Sequence, residues 1–136
     1  MANRWLFKTE PSAYSFPQLQ KDKKTVWDGV KNNLALKHLS GIKKGDEILL
    51  YHTAEEKAAV GIARATSGAY PDPGKKDPKL LVVEIEPVRA LPRSVALSEM
   101  RVNPKLSGFD LLRLPRLSVM PVREEQWKAI EGMAQK

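Results

Sequence analysis

This chain of 136 residues contains a series of short apolar segments typical of β-strands, and these segments do not alternate with long helices. Residues 47–52 and 59–66 are rich in Ile, Leu, Val and Ala, and the short polar link at 53–57 predicts that they form a hairpin. Gly61, inside the second run, predicts a bulge or a close backbone approach. Residues 79–90 predict a further strand. Five or six such strands, closely spaced, predict an α+β fold with a small, barrel-like mixed sheet in a single domain over 1–136.

Local signals place short helices between and after these strands. Ser15 and Gln18 have the spacing of a capping box, in which the serine side chain satisfies a free backbone N–H of the first helical turn. Asn32 or Asn33 is expected to cap a second helix. A third short helix is predicted at 94–100, and an apolar stripe predicts a terminal helix from residue 124 onward.

Composition excludes several classes of function. The chain has no cysteine, so a disulfide framework, a thiolate zinc site and a cysteine nucleophile are all excluded. No run reaches the length of a membrane span and no signal-peptide core is present, which predicts a cytoplasmic protein with no membrane partner. The 23 Lys and Arg residues exceed the 16 Asp and Glu residues, and the net charge of +7 favours a polyanionic partner. We expect a monomer that needs no cofactor.

Catalytic patterns are weak in this sequence. The two histidines, His38 and His52, lie in different elements without the spacing of metal ligands, so no metal site is predicted. His52 ends an apolar strand beside Tyr51 and is interpreted as a structural histidine. Glu10 has no identifiable carboxylate partner for acid–base work. No catalytic residue is predicted, and an enzyme using His52 or Glu10 as its base stays an alternative.

The opening strand and a later tryptophan suggest a binding pocket instead. The strand brings Lys8, Thr9 and Glu10 to its end, and Trp27 offers an aromatic face. A base stacks well on such a face, while hydrogen bonds to its edge supply identity. Lys8 and Asn32 can donate to a flat ligand, whereas Thr9 and Glu10 can accept from an exocyclic amine. The alternative interpretation, in which Trp27 belongs to the core and the polar groups form a turn, stays open.

Basic residues outside this group are candidates for neutralising phosphates, because nucleic-acid affinity depends largely on contacts between cations and the backbone. These are Lys31, Lys75, Lys76, Arg113 and Arg116.

Several sequence blocks together resemble one known family. They are Trp5-Leu-Phe-Lys-Thr-Glu-Pro, Val26-Trp-Asp-Gly-Val, Gly45-Asp, Leu50-Tyr-His, Gly61-Ile-Ala and Tyr70-Pro-Asp. In this order they resemble the signatures of the EVE domain family, within the PUA-like superfamily, over essentially the whole chain. Residues 115–122 resemble the bacterial branch of the family.

The resemblance implies a PUA-like fold, a small mixed β-barrel flanked by short helices. It also implies kinship with YTH domains, which hold a flipped, methylated adenine in an aromatic cage, and Trp27 matches a cage tryptophan. The implied function is non-enzymatic recognition of a modified base in DNA or RNA by base flipping. The implied ligand-binding set is Lys8, Thr9, Glu10, Ser12, Trp27, Asp28, Gly29, Asn32, Tyr51, His52 and Tyr70. Where many EVE domains have Tyr and Arg, this chain has Asn33 and Leu36, and the resemblance therefore implies a more apolar pocket wall.

Three other functions remain open at this point. The chain could be a receptor for a free modified nucleoside or another planar metabolite, which predicts weak salt dependence of binding. It could be an enzyme acting on modified nucleosides. It could also be an interaction module whose partner is a protein.

Overall fold

A computed structural model describes residues 3–135. The strands are β1 (Arg4–Thr9), β2 (Thr25–Trp27), β3 (Glu47–His52), β4 (Ala58–Ala65), β5 (Tyr70–Pro71), β6 (Leu81–Ala96) and β7 (Val119–Pro121). The helices are α1 (Phe16–Asp22), α2 (Asn33–Ser40), α3 (Leu97–Arg101), α4 (Asp110–Arg113) and α5 (Glu124–Ala134), with a 3₁₀ turn at Pro104–Leu106.

The strands form one curled, mixed sheet in the order β2-β6-β4-β3-β1-β7, with the two-residue strand β5 added beside β6. Strand β1 runs parallel to β3, and the other pairings are antiparallel. Although β6, β4 and β3 separate β2 from β1 in the sheet, Phe7 on β1 and Trp27 on β2 approach with ring centroids 5.2 Å apart. The sheet is therefore an open half-barrel, and the predicted α+β fold with a small mixed barrel is confirmed.

The predicted hairpin between β3 and β4 is confirmed, with residues 53–57 as its link. Gly61 on β4 shows both features expected of a strand glycine. The β4–β6 register shifts between Ala59 and Gly61, which marks a bulge. A Cβ added at Gly61 would lie 2.5 Å from Cζ of the buried Phe16 ring, so the close approach is made by a side chain.

Replacing Gly61 with alanine should lower the free energy of unfolding by about 1–3 kcal/mol, because a methyl group forced against a packed ring displaces it from its favoured position. Gly132→Ala is the matched control. Its Cβ would meet nothing within 4 Å on helix α5, so this change should stabilise the protein by about 0.5–1 kcal/mol. Urea denaturation measures both changes, and a Gly61→Ala protein as stable as the parent would contradict the packing argument.

The helix caps follow the sequence closely. The Ser15 side chain accepts a hydrogen bond from the Gln18 N–H at 3.1 Å, and Asn32 caps α2 through the Ala35 N–H at 3.0 Å. Among the described contacts the Gln18 side chain makes no return hydrogen bond to the Ser15 N–H, and its Nε2 donates to Asp22 Oδ1 at 2.8 Å.

The helix predicted at 94–100 begins later, at Leu97. Val95 and Ala96 remain in β6 because they pair with Ala59 and Ala58 of β4, and this long-range pairing overrides the local preference. The segment from Tyr70 to Pro78, which contains three prolines, also starts with the short strand β5.

The core lies on the inner face of the curled sheet and under helix α5. Trp127 and Ile130 of α5 are 2% and 1% exposed, as the apolar stripe predicts, and Trp5 is 8% exposed. No helix among residues 3–135 is both long enough and apolar enough to span a membrane.

Candidate functional site

A cavity of about 560 Å³ opens beside the ends of β1 and β2, where the curl of the sheet brings these two strands together. Its lining residues are Lys8, Thr9, Glu10, Ala13, Tyr14, Thr25, Val26, Trp27, Asp28, Gly29, Val30 and Ser118. We call this cavity the Trp27 pocket. The structure thus brings together Lys8–Glu10 and Trp27–Gly29, two segments that the sequence analysis singled out.

Trp27 belongs to the hydrophobic core and to the pocket wall at once. Its side chain is only 9% exposed, and it packs against Phe7 and, edge-on, against Tyr14 at a centroid distance of 6.1 Å. Trp27 is therefore a core residue that also lines the pocket, so the two interpretations left open by the sequence are compatible. Only a small part of the indole is open to the pocket, and this part is what a stacked ligand would contact.

Lys8 and Thr9 present opposite hydrogen-bonding character to the pocket. Lys8 Nζ donates to the Pro115 carbonyl at 2.8 Å, which leaves two further N–H groups, and burial lowers the pKa of this amine. Thr9 Oγ1 donates its hydrogen to the Tyr14 carbonyl at 2.7 Å, so towards a ligand it can only accept. The pair offers a fixed donor beside a fixed acceptor.

Two side-chain carboxylates at the pocket rim are free to accept hydrogen bonds from a ligand. Glu10 and Asp28 are exposed, and within residues 3–135 neither side chain has a hydrogen bond or an ion pair. Ionised carboxylates accept hydrogen bonds only. The rim is therefore suited to an amino group on the ligand.

Tyr14 and Ser118 are pocket residues that the sequence analysis missed. The Tyr14 hydroxyl donates to Asp22 Oδ2 at 2.9 Å, and burial is the main cause that raises the pKa of this phenol. Tyr14 follows Thr9 by only five residues, so the sequence indicated that it would lie near the end of β1. Ser118 carried no such signal, since it reaches the pocket only through the pairing of β7 with β1.

His52 and Tyr51 lie inside the protein, outside the pocket lining. They are 4% and 3% exposed, and burial raises the pKa of the Tyr51 phenol. His52 Nε2 accepts from the Phe16 N–H at 3.0 Å, and its Nδ1 lies 2.6 Å from Glu56 Oε1. An Nε2 that accepts implies that Nδ1 carries the proton, so both ring nitrogens have partners.

Three further candidates lie apart from the pocket lining. Asn32 uses its side-chain oxygen to cap α2, which leaves its amide NH₂ group. Ser12 is exposed in the turn after β1. The Tyr70 hydroxyl donates to Glu84 Oε2 at 3.2 Å on the β5–β6 pair.

The candidate phosphate-binding residues are dispersed. Lys31 and Lys75 line a second hollow next to the Trp27 pocket. Arg113 pairs with Asp110 at 2.9 Å, while Lys76 and Arg116 are exposed and line neither hollow. Within residues 3–135 no group of three or more His, Asp or Glu side chains is placed to hold a metal ion.

Comparison with known sequences identifies the family. The sequence profile of the EVE domain matches residues 3–133, which is nearly the whole chain. The chain belongs to the EVE domain family. The resemblance inferred from the sequence blocks is thereby confirmed.

Relatives of this EVE domain include thymocyte nuclear protein 1 from animals. The rat (Rattus norvegicus) protein is 29% identical over 164 residues, covering 96% of this chain and 73% of the relative. The human (Homo sapiens) protein is 26% identical over 170 residues, covering 100% of this chain and 76% of the relative.

Solved structures share the fold of this EVE domain. An NMR structure of a Rhodopseudomonas palustris protein superposes with a TM-score of 0.93 at 35% identity, covering 98% of this chain and 94% of that one. The crystal structure of human THYN1 (thymocyte nuclear protein 1), in complex with DNA containing 5-methylcytosine, has a TM-score of 0.90 at 27% identity and covers 99% of both chains.

Proposed function

We propose that this EVE domain binds DNA carrying a modified base, with 5-methylcytosine as the first candidate, and that the base is flipped out of its stack into the Trp27 pocket. The pocket carries the proposal, because one cavity combines part of an indole face with fixed donors and free acceptors. The human relative whose structure contains 5-methylcytosine DNA supports the choice of ligand. RNA with a modified base is the second choice of polymer.

The pocket groups match the edge of a flipped cytosine in their chemistry. Carboxylates accept from the cytosine N4 amino group, and here Glu10 and Asp28 are free to do so. The remaining N–H groups of Lys8 suit the acceptor atoms of the same edge. Val26, which is 46% exposed on the pocket wall, offers an apolar contact for the 5-methyl group. Asn32 can contribute only its amide NH₂ group, because its oxygen caps α2.

Binding, rather than turnover, is the activity that we propose. Both ring nitrogens of His52 are engaged inside the fold, so this residue is a poor candidate for a general base. A receptor for a free modified nucleoside is the alternative, since the Trp27 pocket would serve it equally well. The cytoplasmic location, the monomeric state and the bacterial affiliation expected from the sequence stay predictions.

The test compares three bases at one position of a single-stranded oligonucleotide, with binding followed by tryptophan fluorescence at two salt concentrations. We expect tightest binding for 5-methylcytosine. Thymine has the same 5-methyl group but carries an oxygen in place of the amine, so it should bind about 5- to 150-fold more weakly, the factor for a loss of 1–3 kcal/mol. Unmodified cytosine retains the amine and tests the methyl contact.

Glu10→Gln should reduce the preference for 5-methylcytosine over thymine, because a glutamine amide can also donate to the thymine oxygen. Glu55→Gln, an exposed change on the β3–β4 link, has the same effect on net charge and should leave the preference unaltered. Equal binding of all three bases by the parent protein would refute base recognition. Binding of the free nucleoside as tightly as the oligonucleotide, with little salt dependence, would favour the receptor alternative.

A further inference from the structure

A second hollow of about 290 Å³ adjoins the Trp27 pocket. The two cavities share a wall formed by Asp28, Gly29 and Val30. On its far side the second hollow is lined by Lys31, Asp72, Lys75, Leu80 and Leu81. We call it the Lys31 hollow. A ligand that fills the Trp27 pocket and continues past the shared wall would enter it directly.

The Lys31 hollow is lined by two lysines, two aspartates and a partly apolar surface. Within residues 3–135 neither Lys31 nor Lys75 has an ion pair or a side-chain hydrogen bond. The Asp72 carboxylate accepts a hydrogen bond from the Gly74 N–H at 2.9 Å through Oδ1, and the Asp28 carboxylate lies on the wall shared with the Trp27 pocket. Leu80 and Leu81 are partly exposed and pack against the core. The two ammonium groups have no partner in the described part of the chain and lie beside an apolar surface, which suits a phosphate attached to a sugar.

The wall between the two cavities carries no side chain at Gly29. This residue has a φ of +79°, a conformation that side-chain-bearing residues rarely adopt, and a Cβ placed there would meet nothing within 4 Å. Because Gly29 has no side chain, a nucleic-acid strand can pass close to its backbone from one cavity to the other. A bulky side chain there would separate them.

We infer that the Lys31 hollow is the subsite for the nucleotide adjacent to the flipped base. Lys31 and Lys75 hold the phosphate that joins the two nucleotides, and Leu80 and Leu81 contact the neighbouring sugar or base. The inference rests on the proposed function, since it needs a base in the Trp27 pocket. It adds that recognition extends to one side of the modified base, towards the Lys31 hollow.

The experiment measures how affinity changes when the ligand is lengthened by one nucleotide. The probes are 5-methyl-2′-deoxycytidine, its 5′- and 3′-monophosphates, and the dinucleotides extended on either side, titrated into the full chain at low salt. For the parent protein we expect an affinity gain of about tenfold on extension in one direction and little gain in the other, because the backbone charge contributes strongly at low salt. The monophosphates separate binding of a terminal phosphate from binding of the neighbouring nucleotide.

The double variant Lys31→Ala/Lys75→Ala should reduce this gain to within about twofold, while binding of the nucleoside itself changes little. Lys105→Ala/Lys128→Ala is the matched control: it removes the same charge from two lysines that line another hollow, of about 400 Å³, and should retain the gain. An undiminished gain in the Lys31/Lys75 variant, or no gain in the parent protein, would overturn the subsite while leaving base recognition intact. Failure of the parent protein to bind any modified probe would overturn the proposed function, and the subsite with it.

Discussion

Trp27→Ala is expected to lower the free energy of unfolding by about 3–5 kcal/mol and to weaken binding of the modified oligonucleotide. The first effect follows because Trp27 is 9% exposed and packs against Phe7 and Tyr14, so alanine leaves a cavity between β1 and β2. The second follows because a base loses its stacking partner, which is a contact of about 1–3 kcal/mol, or about 5- to 150-fold in affinity. Urea denaturation and oligonucleotide titration measure the two effects separately.

A matched control separates instability from loss of the stacking face. Ile130→Ala on helix α5 empties a buried site away from the pocket lining and should cost about 2–5 kcal/mol in stability. At a temperature at which both variants remain folded, it should bind as the parent protein does. Trp27→Phe retains an aromatic ring and should recover part of the affinity. If Trp27→Ala binds within about twofold of the parent protein, or if Ile130→Ala loses as much affinity, the stacking role is wrong.

Asp46→Ala is expected to cost about 3–5 kcal/mol of stability without a direct effect on the pocket. The Asp46 carboxylate is 4% exposed and accepts three hydrogen bonds, from Trp5 Nε1 at 3.0 Å, Lys43 N at 2.9 Å and Asn3 N at 3.0 Å. Removing it leaves the buried indole N–H of Trp5 without its acceptor. Hydrogen bonds to a charged group are worth more than neutral ones, which makes this a large loss.

Two further variants test the origin of this loss by thermal and urea denaturation. Asp46→Asn retains one acceptor oxygen and should lose less stability than the alanine variant. Glu47→Ala removes the next carboxylate along the chain, which forms a partly exposed ion pair with Arg4 at 3.3 Å, and should cost less than about 1 kcal/mol. Equal losses for Asp46→Ala and Glu47→Ala would mean that the buried hydrogen bonds do not set the stability here.

Local sequence patterns predicted much of the fold because their causes are local. The caps at Ser15 and Asn32, the β3–β4 hairpin and the buried stripe of α5 each depend on residues a few positions apart. Their geometry is set by the backbone of the same segment. The family resemblance was equally accessible, because it rests on short ungapped blocks.

Predictions were less accurate wherever distant segments compete for the same residues. Val95 and Ala96 stay in β6, although the sequence favours a helix, because Ala58 and Ala59 offer them a strand partner. Asp46 stood out only as part of a Gly-Asp block, and two of its three donors, Asn3 N and Trp5 Nε1, lie 43 and 41 residues away. No local pattern reports such partners.

Two segments of the candidate site could be identified from the amino-acid sequence: the end of β1 with Lys8–Glu10, and the Trp27–Gly29 turn. The way in which their side chains face the pocket depends on long-range packing. Folding holds Lys8 against Pro115, 107 residues away, and brings Ser118 into the same cavity. It also encloses His52, whose Nε2 accepts from the Phe16 N–H, 36 residues away. A polar side chain binds the partner that folding places within hydrogen-bonding distance, and for Lys8 and His52 that partner lies far away in the sequence.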